Sequence, residues 1–271
     1  MLATNNYSIC SCEPFMTPPR CRKSGITMDI GDDQIISVSL VLALLLLSRV
    51  RDLLDNSGLF AATMTGLTVS LMGHWTWLIA LFTFLVIGSL ATKWKFEEKT
   101  LLSLEEANEG LRSWKNVLAN GGAVSIMAIY NFIFPGEEWI YFAAIASISV
   151  ALSDTLASEI GSLDTRTRSI TTLQSVPAGT NGGMSPTGTI AALIGAVIIS
   201  IIGVIFSPEN STINDINLLL MLTLIGWLGC QVDSILGAVL ENRGYLGKHS
   251  VNFLATFSGS LMAIIFYYQF L

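Results

Sequence analysis

The sequence predicts an all-α, polytopic transmembrane bundle of about eight spans, and three observations carry that prediction. The 271 residues are 52% hydrophobic and only 13% charged, where a soluble domain carries roughly 25%, and the mean hydropathy is +0.62. The charges are clustered, leaving long uncharged apolar runs between them. The lysines and arginines also fall in alternate loops once the runs are counted as spans. This pattern argues against a soluble α/β enzyme with buried strands. The net charge of −6 says little beside the placement of the charges, and the lack of a basic patch interleaved with aromatics argues against nucleic acid as a partner.

Residues 1–34 form a polar tail rich in proline and basic residues, with no apolar core placed as in a cleavable signal. Met28 is a plausible start, and residues 1–27 stand outside the fold argument. Cys10, Cys12 and Cys21 lie in this tail without a nearby histidine and read as unmatched thiols, whereas Cys230 reads as packing. The first span is expected at about Ile35–Leu47, short for a bilayer unless it extends or tilts. The second runs over Leu59–Met72, with Ala61, Ala62 and Gly66 suited to close helix contact. His74, Trp75 and Trp77 are expected at an interface, and Trp77–Ala91 is the third span. In the charged connection 92–116, Leu101, Leu104, Leu111 and Trp114 suggest an amphipathic surface helix. Glu97, Glu98, Glu105, Glu106 and Glu109 are its solvated face. The remaining spans are Val117–Phe134, Trp139 into Asp154, Thr187–Phe206, Leu218–Leu240 and Val251–Leu271.

The loops after spans one, three, five and seven hold eleven of the fourteen Lys and Arg residues, and the tail holds the other three. The positive-inside rule therefore puts those loops in the cytoplasm and both termini outside. The unusual polar residues fall on that same side. Asp154 and Glu159 end span five. Asp233, Gly237 and Glu241 are spaced by four and so share a helix face. An ionisable residue inside a span usually faces a cavity or a partner. Alternatively, Asp233 pairs with an arginine such as Arg166 and only fixes packing. Asn120-Gly-Gly before span four and Asn181-Gly-Gly before span six are each followed by two spans. Each second span ends on an aspartate phrase, Asp154-Thr-Leu or Asp233-Ser-Ile, which suggests a weak parallel repeat.

Gly179, Thr180, Asn181, Gly182, Gly183 and Ser185 offer backbone N–H groups and hydroxyls before a helix that starts near Pro186. Such an assembly favours bound phosphate. Carboxylates cannot bind phosphate directly, but Asp154, Glu159 and Asp233 can hold Mg²⁺, which bridges phosphates. With Arg166 and Arg168 these are the parts for phosphoryl transfer. A P-loop Gly-Lys-Ser/Thr ending is absent.

The phrases 153–161 (Ser-Asp-Thr-Leu-Ala-Ser-Glu-Ile-Gly), 176–185 (Val-Pro-Ala-Gly-Thr-Asn-Gly-Gly-Met-Ser), 233–238 and 251–254 resemble an integral membrane family long described only as a domain of unknown function. That family includes transmembrane protein 19 of animals and the phytyl-phosphate kinase of plants and cyanobacteria. The likeness covers about residues 35–271. It implies a membrane-embedded kinase that converts an isoprenyl monophosphate to its diphosphate, with a nucleoside triphosphate (CTP in related lipid kinases) as donor and Mg²⁺ as cofactor. The substrate's phosphate is expected at Gly179–Ser185 and the metal at Asp154 and Glu159. Asp233 and Glu241 complete the metal or positioning groups, Arg166 and Arg168 neutralise transferred charge, and Asn120 and Asn252 are accessory polar groups. The alternative is a transporter or flippase for a small anion or lipid phosphate, for which the repeat and the intramembrane Asp233 speak. A purely structural subunit would leave the Gly-Thr-Asn-Gly-Gly loop unexplained.

Overall fold

The computed structural model describes residues 32–103, 110–209 and 211–270. The tail cysteines, Met28, Leu104, Glu105, Glu106 and Glu109 lie outside them. Among the described residues the chain forms α1 (Asp32–Val50), α2 (Asn56–Met72), α3 (Trp75–Lys93), α4 (Phe96–Leu101), α5 (Trp114–Ile133), α6 (Glu138–Gly161), α7 (Pro186–Ile205), α8 (Asp215–Leu236) and α9 (Lys248–Phe270). A π-helical segment, Gly237–Glu241, continues α8. Six of these helices, α3 and α5 to α9, are long and apolar enough to cross a membrane, and Ile35–Val50 is a shorter apolar helix. With the 17-residue α2, this agrees with a count of about eight. The first helix extends beyond its expected ends in both directions.

The central element is α6. Its residues 139–153 are buried without interruption, and it packs against α3, α5, α7, α8 and α9. A helix that is apolar all round belongs inside a bundle. Serine and threonine hydroxyls tie the bundle together by donating across helices to backbone carbonyls. Ser153 reaches the Ala192 oxygen at 2.8 Å, Ser260 that of Ala143 at 2.9 Å, and Thr256 that of Ala119 at 3.2 Å. Gly161 and Gly188 let α6 and α7 approach so closely that a Cβ on Gly161 would lie 2.8 Å from the Gly188 Cα.

Connections sort to two ends. At one end, Asp55 donates its N–H to the Arg112 carbonyl, Arg112 to Leu53, and the Lys93 ammonium to the Arg51 carbonyl. The Asn242 amide donates to the Asn181 carbonyl there as well. At the other end, the Glu138 carboxylate accepts from the Thr212 N–H and hydroxyl at 2.9 and 2.6 Å. The loops that carry the basic residues are thus gathered on one face.

Three expectations are corrected. Trp77, expected with His74 and Trp75 at an interface, turns inward from the first turn of α3 and is buried beside Tyr141. Among the described residues of the charged connection the α-helix is the six-residue α4, ended at Leu101, and Trp114 belongs to α5. Asn120-Gly-Gly lies inside α5 and not before it.

Candidate functional site

At the face that gathers the basic loops, α6, α7, α8, the π segment, α9 and the loop 179–185 enclose a cavity of about 330 Å³. Its lining includes Asp154, Glu159, Asp233 and Glu241, the whole of Gly179–Ser185, and Asn252. Residues separated by a hundred positions thus form one wall. Asp154 lies about two turns inside α6 and not at its end, because the helix continues to Gly161. Asp233 stands at a similar distance from the end of the π segment that continues α8. Both carboxyl groups line the same cavity, an arrangement that favours a cation or a proton near them. The Oδ2 of Asp233 is buried and has no partner.

The π segment explains why Asp233, Gly237 and Glu241 all reach the cavity. Regular i, i+4 spacing ends at Gly237, and the Asn242 N–H bonds back five residues to the Gly237 carbonyl. Such insertions recur at functional sites. Here the widened turn keeps Glu241 on the cavity wall together with Asn181 of the loop. Gly182 seats the loop on this surface with φ +75°. A Cβ there would strike Ala238 and lie 2.6 Å from the Ser234 carbonyl oxygen, so both conformation and space require glycine.

Several predicted residues have other work. Glu159 has both oxygens engaged: Oε1 accepts from the Thr92 hydroxyl at 2.8 Å, and Oε2 pairs with the Lys99 ammonium at 2.6 Å. Lys99 is 1% exposed and also donates to the Ala91 and Thr92 carbonyls, closing the C-terminus of α3. Glu159 is therefore a structural anion and not an open metal ligand. Arg166 and Arg168 do not line the cavity. Arg166 forms a fork to Asp164 (Nε–Oδ1 3.0 Å, Nη2–Oδ2 2.9 Å) and Arg168 donates to the Leu173 carbonyl at 3.3 Å. This also excludes the packing alternative of an Arg166–Asp233 pair.

The N-terminus of α7 is already occupied. Asp164 Oδ2 accepts from the Thr187 N–H at 3.2 Å and its hydroxyl at 2.6 Å. Ser185 caps the helix by accepting from the Gly188 N–H at 3.1 Å and donates to the Gly161 carbonyl. The Arg166 fork, then the Thr187 hydroxyl, hold the Asp164 carboxyl below the usual carboxylate range. The N–H groups of Thr180 and Gly183 bond within the loop. The expected phosphate cradle is thus filled in part by the protein's own groups.

Asp154 and Asp233, with oxygen donors such as Ser234, Gln231 and Asn252 around them, suit Mg²⁺, which takes one or two carboxylates and completes its shell with water and substrate phosphates. Three carboxylates do not converge: among the described residues no three His, Cys, Asp or Glu side chains are grouped as a metal site. Sequence reasoning missed Lys248, the one lysine or arginine lining this cavity among the described residues. Its signal was present, four residues before Asn252 on the first turn of α9. It also missed Lys99, whose partner Glu159 is sixty positions away, and Asp164, which joins the nearby Arg166 to Thr187 on α7. A second, smaller cavity adjoins the first and is lined by Asn120, Asp154, Lys248 and Asn252 among others.

An uncharacterized membrane protein of Methanocaldococcus jannaschii is 32% identical to this chain over 86% of it and 93% of its own length. One of Synechocystis is 29% identical over 79% and 83%. The Arabidopsis thaliana protein named Protein VTE6, chloroplastic is 29% identical over 78% of this chain and 65% of its own length. No solved structure matches significantly. The family described as Integral membrane protein DUF92 matches residues 39–260, nearly the whole helical bundle, and the chain belongs to that integral membrane family.

Proposed function

We propose that this protein is a membrane-embedded phosphotransferase that converts an isoprenyl monophosphate to its diphosphate with a nucleoside triphosphate as donor. The observation that carries the reading is the cavity of about 330 Å³ in which Asp154, Asp233 with its unpartnered Oδ2, the Gly-rich loop and Lys248 meet. Membership of a family whose phrases resemble those of phytyl-phosphate kinase supports it, and so does a bundle that gives a lipid substrate direct access from the bilayer. In this reading a phosphate oxygen of the lipid attacks the γ-phosphorus, the β–γ bridging bond breaks, and the nucleoside diphosphate leaves. The nucleophile is already an anion, so no general base is required. Asp154 and Asp233 would hold Mg²⁺, which supplies charge neutralisation on the phosphate oxygens. Lys248 adds a fixed positive charge, and Asn181, on the cavity wall with Glu241, positions a phosphate. The site faces the cytoplasm, where the nucleotide is.

A transporter would want matched polar machinery on the opposite side. The Glu138–Thr212 contact there is local, so the reading stays with the enzyme. The test is transfer of label from each γ-labelled nucleoside triphosphate to phytyl or geranylgeranyl monophosphate by detergent-purified protein with Mg²⁺. Labelled diphosphate is expected, and Asp154→Asn should abolish it while membrane insertion persists. Folded protein that transfers from no donor would overturn the proposal.

A further inference from the structure

We infer that the Gly182 N–H is the donor that receives a phosphate in the large cavity, and that Asn242 is the positioning residue that aims it. That the phosphate belongs to a nucleotide or to an isoprenyl monophosphate rests on the phosphotransferase reading. The donor and its orientation rest on the contacts between the loop and the end of α8.

The loop lies directly on the helix. A Cβ on Gly237 would stand 3.3 Å from the Gly182 nitrogen and 3.7 Å from the Asn181 Cβ, so the peptide that joins Asn181 to Gly182 passes over Gly237. Asn242 fastens it there. Its Nδ2 donates to the Asn181 carbonyl at 3.1 Å and stands 3.5 Å from the Ala238 carbonyl. Both neighbours are acceptors, so the nitrogen of the amide and not its oxygen faces them. The π segment makes this reach possible. At about 100° per residue, a regular helix would carry Asn242 about 140° round from Gly237 and off the face beneath the loop. The bond from the Asn242 N–H to the Gly237 carbonyl, five residues back, widens the turn and returns Asn242 to that face.

A trans peptide is planar, with its N–H opposed to its C=O. Because the Asn181 carbonyl is held toward Asn242, the Gly182 N–H points the other way, back along α8 toward the turn that carries Ser234 and Asp233. The rest of the loop is engaged locally. The Thr180 and Gly183 N–H groups donate to the Pro177 and Thr180 carbonyls, and the Gly182 carbonyl accepts from the Ile170 N–H at 2.9 Å. The peptides on both sides of Gly182 are thus held from outside the loop, one by Asn242 and one by Ile170, while the Gly182 N–H takes no part in the loop's internal bonds. Gly182, Asp154 and Asp233 line the same cavity of about 330 Å³, which is in the range of a small-molecule site. A phosphate there can accept from this N–H through one oxygen and meet a cation at the two carboxylates through another. A donor fixed before the ligand arrives needs no reorganisation when charge moves onto the phosphate oxygens.

The chain contains Asn-Gly at only two places, 120–121 and 181–182. Protein made with ¹³C at the asparagine carbonyl and ¹⁵N in glycine therefore gives two linked amide signals by NMR, one from Gly121 inside α5 and one from Gly182. The purified full chain is titrated with inorganic triphosphate and Mg²⁺, and separately with geranylgeranyl monophosphate. The Gly182 signal should move saturably with at least one of them while the Gly121 signal stays. Movement with triphosphate names the nucleotide as the source of the phosphate, and movement with the monophosphate alone names the lipid. Asn242→Leu should weaken that binding about tenfold, with an unmoved Gly121 signal reporting an intact bundle. Asn242→Gln, which keeps the donor, should restore most of the affinity. A Gly182 signal that moves with neither ligand overturns the inference. So does wild-type affinity in Asn242→Leu, or a loss in Asn242→Gln as large as that in Asn242→Leu. Protein that binds phosphate at Gly182 but transfers none would sink the kinase reading and leave the site standing. Protein that transfers phosphate with Gly182 unmoved would do the reverse.

Discussion

The tripeptide Asn-Gly-Gly occurs twice, and the structure uses it in two unlike ways. At 120–122 it lies inside α5, where Gly121 leaves room for Thr65 (a Cβ would lie 2.9 Å from its Cγ2) and Gly122 for Phe253. At 181–183 it is a loop, with Gly182 at positive φ seated against the end of α8. One copy serves helix packing and the other shapes a cavity wall. The following residues decide the difference: Ser185 and Pro186 form a cap and a first turn that begin a new helix, whereas Ala123-Val124 simply continue one. Yet the aspartates two spans apart, Asp154 and Asp233, meet. The two halves differ at their entrances and converge at their carboxylates.

The convergence is the easiest point to break. Asp154→Asn and Asp233→Asn should each lower phosphoryl transfer by about 10²–10³-fold or more, measured as initial rate at saturating nucleotide. A variant that kept the full rate would show that only one half supplies the chemistry. The ion pairs sharpen the contrast next, since the first half holds a buried one and the second an exposed one. Lys99→Met should destabilise the fold by about 3–5 kcal/mol, because it leaves Glu159 charged and buried. Adding Glu159→Gln should restore much of this in detergent unfolding curves. If the single variant melts like wild type, the pair does not hold the α3–α6 junction.

The glycines themselves come third. Gly182→Val should reduce activity by roughly 10–100-fold by displacing the loop, whereas Gly121→Val should act mainly on melting, at about 1–3 kcal/mol of overpacking. Equal effects on both readouts would erase the distinction drawn here. The smallest effect is expected at Asp164. Its carboxyl is held below its ordinary value near 3.8, so its contribution is complete above that pH and fades as pH falls through the lowered value in the fold. The stability difference between wild type and Asp164→Asn should stay flat above about pH 5 and narrow below about pH 4, measured by hydrogen exchange of the 162–185 segment.

The bundle was legible because apolar runs and the alternation of Lys and Arg are properties of composition along the chain. Asp154, Asp233, Glu241, Asn252 and the Gly-rich loop were legible as polar residues where a membrane helix does not tolerate them without reason. The partners were not. Nothing near Glu159 in sequence announces Lys99, sixty positions earlier, and only the folded α3–α4 turn brings it there. Arg166 differs, since Asp164, which holds it, stands only two residues earlier and that pairing was open to reading. The small cavity at Asn120 and Arg112 requires helices from both halves, and no local pattern encodes such a space.

The position of α6 has a consequence for how the protein is made. Helices enter the bilayer in order of synthesis, and α6 is the third of the six long apolar ones. Its hydroxyls have partners that arrive later: Ser153 bonds to Ala192 on α7, and Ser149 to Ala196 on α7 and Leu222 on α8. Until those helices emerge, the future centre of the molecule sits in lipid with Asp154 exposed to it. A chain stopped after residue 161 should therefore be a target for membrane quality control, with α7, α8 and α9 serving as the assembly checkpoint.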